Sequence, residues 1–439
     1  MVENKKKLFR LTTVDLSLDK LIKGQLRFLS DYYDVVGVAS DTGLLQGVAE
    51  REGIRVIDVP MRREISLKED LRSLWNLYKL FKREKPDILH CNTPKGSLLG
   101  LIAGKITGIP FRIYLVTGLR YQGATGWLRV ILKMMEKVSC FCATNIIPEG
   151  NGVLHTLRTD GITTKPMRVL HHGNINGVDT EFFCRNSLLA HAVDSKEKDG
   201  LPANLEVRTI HDIRSQYGFS EDDFVFVFIG RIVRDKGIRE LVGAMRKLMQ
   251  LPVCSLQSSA IITVDGEQTT NRYQSKVPKL LLVGTFENGD PIAEEDEMWL
   301  KTSPSVRWIG WQEDVRPCLA AADALVFPSY REGFPNVPMQ AGAMNLASIV
   351  TDINGCNEII KDGLNGRIIV APLSDAGKRR DEKGETAMQT ALYETMRYFL
   401  EHPAEVKRMG ANARDMIVNR YEQKDVWTAL LEYYRSLEV

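Results

Sequence analysis

The chain has 439 residues, of which 44% are hydrophobic and 26% charged, and its net charge is +2. The length exceeds one ordinary core and implies two domains, while the composition excludes a disordered or fibrous chain. The small net charge hides an asymmetry, because residues 1–180 hold 27 Lys+Arg against 18 Asp+Glu and the remainder 31 against 38; a basic half suits something anionic on its outer face, such as a lipid surface or a diphosphate.

The opening MVENKKKLFRLTTV is basic and then apolar, but Asp15 and Asp19 follow and no small-residue cleavage site appears. It reads as a first core strand rather than a signal peptide. The next loop carries Gly24 and Gln25 before an apolar-periodic helix. Short strands and helices then alternate, with strands expected at 35–39, 55–59, 87–90 and 112–116 and a basic amphipathic helix at LKEDLRSLWNLYKLFKRE. Such alternation predicts a parallel sheet wrapped by helices. Ligands sit outside the carboxyl ends of such strands, so His90, Asn92, Thr93, Thr117 and Arg120 are candidate site residues of this half. The segment GATGWLRVILKMMEKVSCFC reads in two ways: a core helix with a solvated basic stripe, or a helix lying in a membrane interface. No apolar run reaches the roughly 18 residues of a spanning helix.

Residues 168–183 read as a last strand and an exit loop, and the polar stretch after Ser187 marks a boundary. Alternation restarts at DFVFVFIGRIVRDKGI, with later strands near KLLLVG, VRWIG, ALVF, SIVTD and RIIV, which predicts a second doubly wound domain. Residues 252–278 and 374–385 read as surface loops. The acidic run at 294–297 reads as a solvated polar loop, and no metal site is expected there. Seven scattered cysteines, an odd number, give no disulfide framework and suit thiols in a reducing cytoplasm. No G-x-S-x-G elbow, Walker loop or G-x-G-x-x-G is present, against hydrolase, NTPase and dinucleotide classes.

Two stretches carry the chemistry. In FPSYREGFPNVPMQAGAM a buried run breaks into a Gly/Pro turn and restarts as a helix, with Pro335 and Pro338 suited to a first turn. This puts Glu332 on the turn, gives a ligand close access at Gly333, and aims the amides around Phe334, Pro335, Asn336 and Val337 at phosphate or sugar oxygens from a positive helix end. Gln340 lies about two turns on, on the same rim. In GRIVRDKG, Gly230, Arg231, Lys236 and Gly237 form a strand-to-helix loop whose two cations can stabilise a departing diphosphate without metal.

These motifs, with GWQEDVRPCLAAADALVFPSYREGFPNVPMQAGAM and VTDINGCNEIIKDGLNGRII, resemble the donor domain of retaining glycosyltransferases of the GT-B fold, in the group (family 4) that builds bacterial capsule, exopolysaccharide and O-antigen. KGQLRFLS, PMRREISLKEDLRSLWNLYKLFKREKPDILHCNTPKGSLLG and GNINGVDTEFF extend the likeness over nearly the whole chain. The resemblance implies an α/β protein of two doubly wound Rossmann-like domains facing a cleft, with the C-terminal helix returning to the first. Residues 1–180 would bind acceptor, 181–222 would link, and 223–439 would bind the nucleotide sugar. It implies a donor diphosphate on Arg231 and Lys236, donor-sugar hydroxyls on Glu332, and sugar and phosphate oxygens on the amides from Gly333 to Val337. Gly24 would approach the diphosphate from the first domain, Gly230 would flank it, and the loop at Gly310–Gln312 would line the nucleobase, while His90, Thr117 and Arg120 stand on the acceptor side.

The chain departs from the family pattern at three places. Gln340 replaces the second Glu, which holds ribose hydroxyls; a neutral amide still accepts from one hydroxyl and donates to another. Thr117-Gly118 stands where many relatives have His-Gly. Asn345 and Ala347 replace the usual Gly and Pro, a change expected to alter only the turn. The resemblance implies transfer of a hexose or N-acetylhexosamine from a UDP-sugar to an undecaprenyl-diphosphate-linked saccharide, without cofactor, metal or nucleic acid, by a cytoplasmic protein in peripheral contact with the membrane's inner face. The alternatives are a UDP-sugar epimerase of the same fold and a non-catalytic UDP-sugar-binding assembly partner.

Overall fold

The computed structural model describes residues 5–62, 66–188, 209–251, 259–264, 267–272, 276–370 and 386–437. It divides into two compact units, residues 1–177 with 421–439, and residues 178–420. Each is built around a six-stranded parallel sheet, with one further antiparallel strand pair in the second.

The first sheet runs β3-β2-β1-β4-β5-β6, from β1 (Lys7–Val14), β2 (Asp34–Ser40), β3 (Arg55–Asp58), β4 (Ile88–Cys91), β5 (Phe111–Val116) and β6 (Asn145–Pro148). This is the 3-2-1-4-5-6 order of a doubly wound fold. Its central strands are continuous apolar runs because helices cover both faces. Leu77, Phe81, Leu101 and Leu132 fill one face from helices 67–84, 94–106 and 126–142. Leu18, Leu26, Leu430, Leu431 and Tyr434 fill the other. The chain leaves this unit at Gly177 and re-enters at Tyr421, and the two points touch: a Cβ on Gly177 would stand 2.8 Å from the Tyr421 carbonyl oxygen. Helix Gln423–Leu437 thus returns to the first sheet, with Val426, Leu430, Leu431 and Tyr434 buried.

Four expectations need correction. The last strand of this sheet is Asn145–Pro148, not residues 168 onward, where the backbone makes isolated bridges, Met167 to Ile146 just before and His171 to Gly173 within, and no named strand; the two isoleucines 146 and 147 are buried, whereas Arg168 and Val169 are not fully covered. The segment 181–222 contains helix Ile210–Gln216, started by a reciprocal Thr209–Asp212 capping box and joined to the second unit through Arg214–Asp323 at 3.1 Å. Within 252–278, strands Ser259–Val264 and Glu267–Arg272 pair antiparallel. The acidic run at 294–297 is the first turn of helix Glu294–Thr302, where four carboxylates favour the helix dipole. Residues 374–385 lie outside the described residues.

The second sheet runs β11-β10-β7-β12-β13-β14, where β7 is Asp223–Ile229, β10 Val277–Val283, β11 Val306–Trp308, β12 Ala324–Phe327, β13 Ala347–Thr351 and β14 Gly366–Ile369; β8 and β9 are the antiparallel pair. Taken in order of occurrence, this is the same 3-2-1-4-5-6 arrangement. The direction of winding reverses between β7 and β12, so the carboxyl ends of these two neighbours define a switch point, the place where such sheets bind ligands.

Candidate functional site

The two loops at that switch point are those that the sequence singles out. After β7, residues Arg234–Lys236 make a short 3-10 turn, and Gly237, at φ +70°, starts helix Ile238–Leu248. A Cβ there would lie 2.0 Å from the Pro328 carbonyl oxygen, so only glycine lets the two loops close on each other. After β12, residues 328–335 form the Gly/Pro turn, and helix Asn336–Ala343 begins behind Pro335. Lys236 Nζ bonds Glu332 Oε1 directly, although the residues are 96 apart in sequence, and the two side chains are only 13% and 15% exposed. The ammonium also lies 5.5 Å from the centre of the Phe327 ring. In so sheltered a position the pair has stronger electrostatics than in water, and either charge left alone would be costly.

Sequence reasoning missed the bonds that hold this pair in place. Arg331 pairs with Asp235 at 2.8 Å, a second ionic bridge between the same two loops. The Tyr330 amide donates to the Asp235 carbonyl at 2.9 Å. Asp290 accepts from the Asp235 amide and from Arg234 Nε, both at 2.8 Å, fixing the 3-10 turn. The loop after β13 supports the turn from its other side: Thr351 Oγ1 donates to the Ser329 carbonyl, and Gly355 packs so tightly on residues 333–335 that a Cβ would meet the Gly333 oxygen at 2.6 Å. Alternating Asp235/Arg331 and Lys236/Glu332 in the sequence was the available signal. Beneath lies Cys356, whose thiol is held well above its usual range first by burial and then by the Glu332 charge, against the opposing effect of Lys236.

The remaining donor-side candidates line the same carboxyl edge. Arg231 is half exposed and pairs with Glu287 at 3.1 Å. Gly230 is bound to β10 through its amide and the Val283 carbonyl at 3.0 Å, and the Gly284 amide bonds the Gly310 carbonyl at 2.8 Å. Gln312 donates from Nε2 to the Ile309 carbonyl at 2.9 Å, so its side chain closes its own loop. Phe334 and Pro335 are buried, whereas Gly333, Asn336, Val337 and Gln340 reach partly to the surface. Asn345, in place of the family's glycine, adopts φ +61°, a conformation that asparagine tolerates better than most residues.

In the first unit the structure separates the candidates. His90 is 1% exposed, and its Nδ1 lies 2.5 Å from the Tyr434 hydroxyl. Burial, with the Arg10 guanidinium nearby, holds its imidazole well below the usual range and therefore neutral. Arg10, itself fully buried, donates to Gln25 at 2.7 Å, to Tyr434 at 3.2 Å and to Asn92 at 3.3 Å. His90 thus belongs to a buried polar network under the C-terminal helix, where it lines a small cavity with Leu115, Glu149, Asn174 and Leu430. Gly24 is partly exposed; its amide donates to Glu52 at 2.9 Å, and a Cβ would stand 2.7 Å from the Trp427 ring. Its φ of +82° and the indole beside it both disfavour any side chain there. Thr117 is half-buried at the end of β5, and Arg120 is exposed in the 3-10 turn that follows. Among the described residues no group of three or more His, Cys, Asp or Glu is arranged to hold a metal ion, and the cysteines are free.

Two doubly wound units of one strand order, one with an acid–cation pair at its switch point, define an enzyme of the GT-B fold. The family models agree half by half: "Glycosyl transferase 4-like" matches residues 19–149 and "Glycosyl transferases group 1" matches residues 223–378. The Staphylococcus aureus capsular polysaccharide biosynthesis glycosyltransferase CapM is 30% identical over 431 residues, covering 98% of this chain and 97% of that protein. An Escherichia coli UDP-Gal:alpha-D-GlcNAc-diphosphoundecaprenol alpha-1,3-galactosyltransferase is 26% identical over 77% of each chain. The crystal structure of Anabaena Alr3699/HepE in complex with UDP-glucose superposes with a TM-score of 0.68 at 17% identity, covering 98% of this chain and 100% of that one. The chain belongs to this glycosyltransferase family.

Proposed function

We propose that the chain transfers a hexose or N-acetylhexosamine, with retention of anomeric configuration, from a UDP-sugar to an undecaprenyl-diphosphate-linked saccharide during cell-surface polysaccharide synthesis. The observation that carries this reading is the sheltered Lys236–Glu332 pair at the β7/β12 switch point, with Arg231 on the same loop. In this reading a donor diphosphate takes over Lys236 and Arg231, and Glu332, released from the ammonium, accepts hydrogen bonds from sugar hydroxyls. The bond from the sugar C1 to the β-phosphate oxygen breaks with its electron pair on that oxygen, where the two cations stabilise it. The acceptor hydroxyl attacks C1 from the same face and its proton passes to the departing phosphate, so no enzyme base or metal is invoked.

Backbone groups from Gly333 to Val337 hold sugar and phosphate oxygens at the helix start, the loop at Gly310–Gln312 lines the base, and Gln340 meets the ribose. The first unit takes the acceptor, with half-buried Thr117 and exposed Arg120 as its candidates. The named substrates of the Escherichia coli relative, a UDP-sugar and a diphosphoundecaprenol-linked sugar, support the choice of both substrates. Such an acceptor places the enzyme peripherally on the inner face of the cytoplasmic membrane. The test is incubation of the purified chain with a panel of UDP-sugars and undecaprenyl-diphosphate-linked saccharides, with the anomeric configuration of the product read by proton NMR. Transfer with retention is expected. Epimerised UDP-sugar without transfer, or UDP binding with neither reaction, would overturn the reading.

A further inference from the structure

Helix Gly126–Cys142 buries Leu132, Glu136 and Cys140 against the first sheet, yet it leaves Trp127, Val130, Ile131, Met134 and Phe141 exposed, Trp127 by 75% and Phe141 by 66%. At 3.6 residues per turn these five fall on one outward face, so packing against the core does not account for them. The same pattern recurs on helix Leu67–Glu84. Leu77, Leu80 and Phe81 face the core, while Leu67, Leu71 and Trp75 form an outward stripe, exposed by 80%, 67% and 55%. Both helices share one hydrophobic core with helix Pro94–Ile106, which packs against each of them, so the two apolar stripes lie in one layer on one face of the sheet. A soluble monomer rarely exposes two such stripes on one face.

Charge selects the occupant. The single carboxylate of helix 126–142, Glu136, is buried, so the charges that this helix presents outward are Arg129 and Lys137, while Lys133 is partly covered and paired with Asp160 at 3.2 Å. Along helix 67–84, Lys68, Arg72, Lys79, Lys82 and Arg83 are exposed beside the apolar stripe. Of its acids, Glu84 is turned to Arg55 and Lys7, Asp70 to Lys95 and Glu69 to Arg62. Trp75 stacks on Tyr78 with centroids 5.3 Å apart, and Lys79 and Lys82 lie over these rings, which gives an apolar body with cations at its edge. Apolar residues flanked by cations, with the helices' acids buried or paired to cations, match a bilayer interface bearing anionic headgroups. No described helix is long and apolar enough to cross a membrane.

We propose that helices 67–84 and 126–142 together form the surface on which this protein lies on an anionic lipid bilayer. The inference rests on the lipid-linked acceptor proposed above and names the face that meets the acceptor's bilayer. It is tested by flotation of the full chain with vesicles of phosphatidylcholine containing about one-third phosphatidylglycerol, compared with phosphatidylcholine alone. The expected result is flotation with the anionic vesicles only, released by salt. Either pair, Leu71→Ser with Trp75→Ser or Trp127→Ser with Ile131→Ser, should reduce the bound fraction by about tenfold or more, with circular dichroism and melting unchanged. Charge reversal at Arg72 and Lys137 should do the same.

Flotation unaffected by both serine pairs, equal flotation on neutral vesicles, or loss with only one pair would overturn the two-helix surface. So would sedimentation showing a dimer that the serine pairs dissociate, since the face would then belong to a second copy. The assay needs neither donor nor acceptor. A chain that floats but transfers no sugar keeps the docking surface and loses the proposed function. A chain that transfers to detergent-dispersed acceptor but does not float loses the surface alone.

Discussion

Lys236 and Glu332 were legible because chemistry and local context agree in the sequence: each follows an apolar strand and precedes a helix, and each stands beside a glycine. Gly24 and His90 were not. Both look like strand-end or loop residues open to a ligand, and both pack against a helix at the other end of the chain, whose Tyr434 lies 344 residues from His90 and whose Trp427 stands beside Gly24. No local pattern announces such a contact. Gly24 gives this point a measurement, because φ +82° and the Trp427 ring at 2.7 Å act against any Cβ together. Gly24→Ala should cost about 2–4 kcal/mol in urea unfolding, the sum of backbone strain and overpacking. Gly43→Ala, at φ +105° with open space around it, should cost only the backbone part, about 1 kcal/mol. Equal losses at the two positions would contradict the packing role of Trp427.

Among the elements, strands β1, β2, β4, β5 and β7 stand out in the sequence because continuous apolar runs between helices have few other readings. Strand β6 was missed since its four residues, Asn145–Pro148, end in proline and follow directly on an apolar helix. The pair Ser259–Val264 and Glu267–Arg272 did carry a signal in the sequence, runs of β-branched residues (Ile261 to Val264, and Thr269 with Thr270) on either side of Asp-Gly, a dipeptide favoured in two-residue hairpins.

Helix 126–142 shows how one element serves two surroundings. Its inner Glu136 is pushed up to about 7 by burial, against the hydrogen bond it accepts from Tyr114 at 2.6 Å. A carboxyl raised in the folded state favours folding at low pH. That contribution is fully present below about pH 4 and is lost as pH rises through about 7. Glu136→Gln should abolish this slope and gain up to about 3 kcal/mol on the wild type by pH 8. Unfolding measured from pH 4 to pH 8 checks it, and parallel pH profiles for the two proteins would contradict the buried, protonated carboxyl.

For the molecule as a whole, the class of fold could be read from alternation and motif order, and both sheets have the doubly wound strand order that alternation implies. What sequence could not give was the second set of bonds, Arg331–Asp235 and the Asp290 contacts, that turns two loops into one rigid site. The same holds for the exposed side of the two basic helices, because periodicity shows that a helix has two apolar faces but not which one the sheet takes. The charge asymmetry pointed to an anionic partner for the first half, and the structure identifies the helices that carry the cations.

The central claim is that Lys236 and Arg231 stabilise a departing nucleoside diphosphate. Its most direct test is the turnover of Lys236→Ala and Arg231→Ala in the transfer reaction, with folding verified by melting temperature. Each substitution should lower kcat by about 10²-fold or more, Arg231→Ala at an unchanged melting temperature and Lys236→Ala, which leaves Glu332 unpaired, at a lowered one in a chain still folded at the assay temperature. Full activity in either well-folded variant would contradict the assignment.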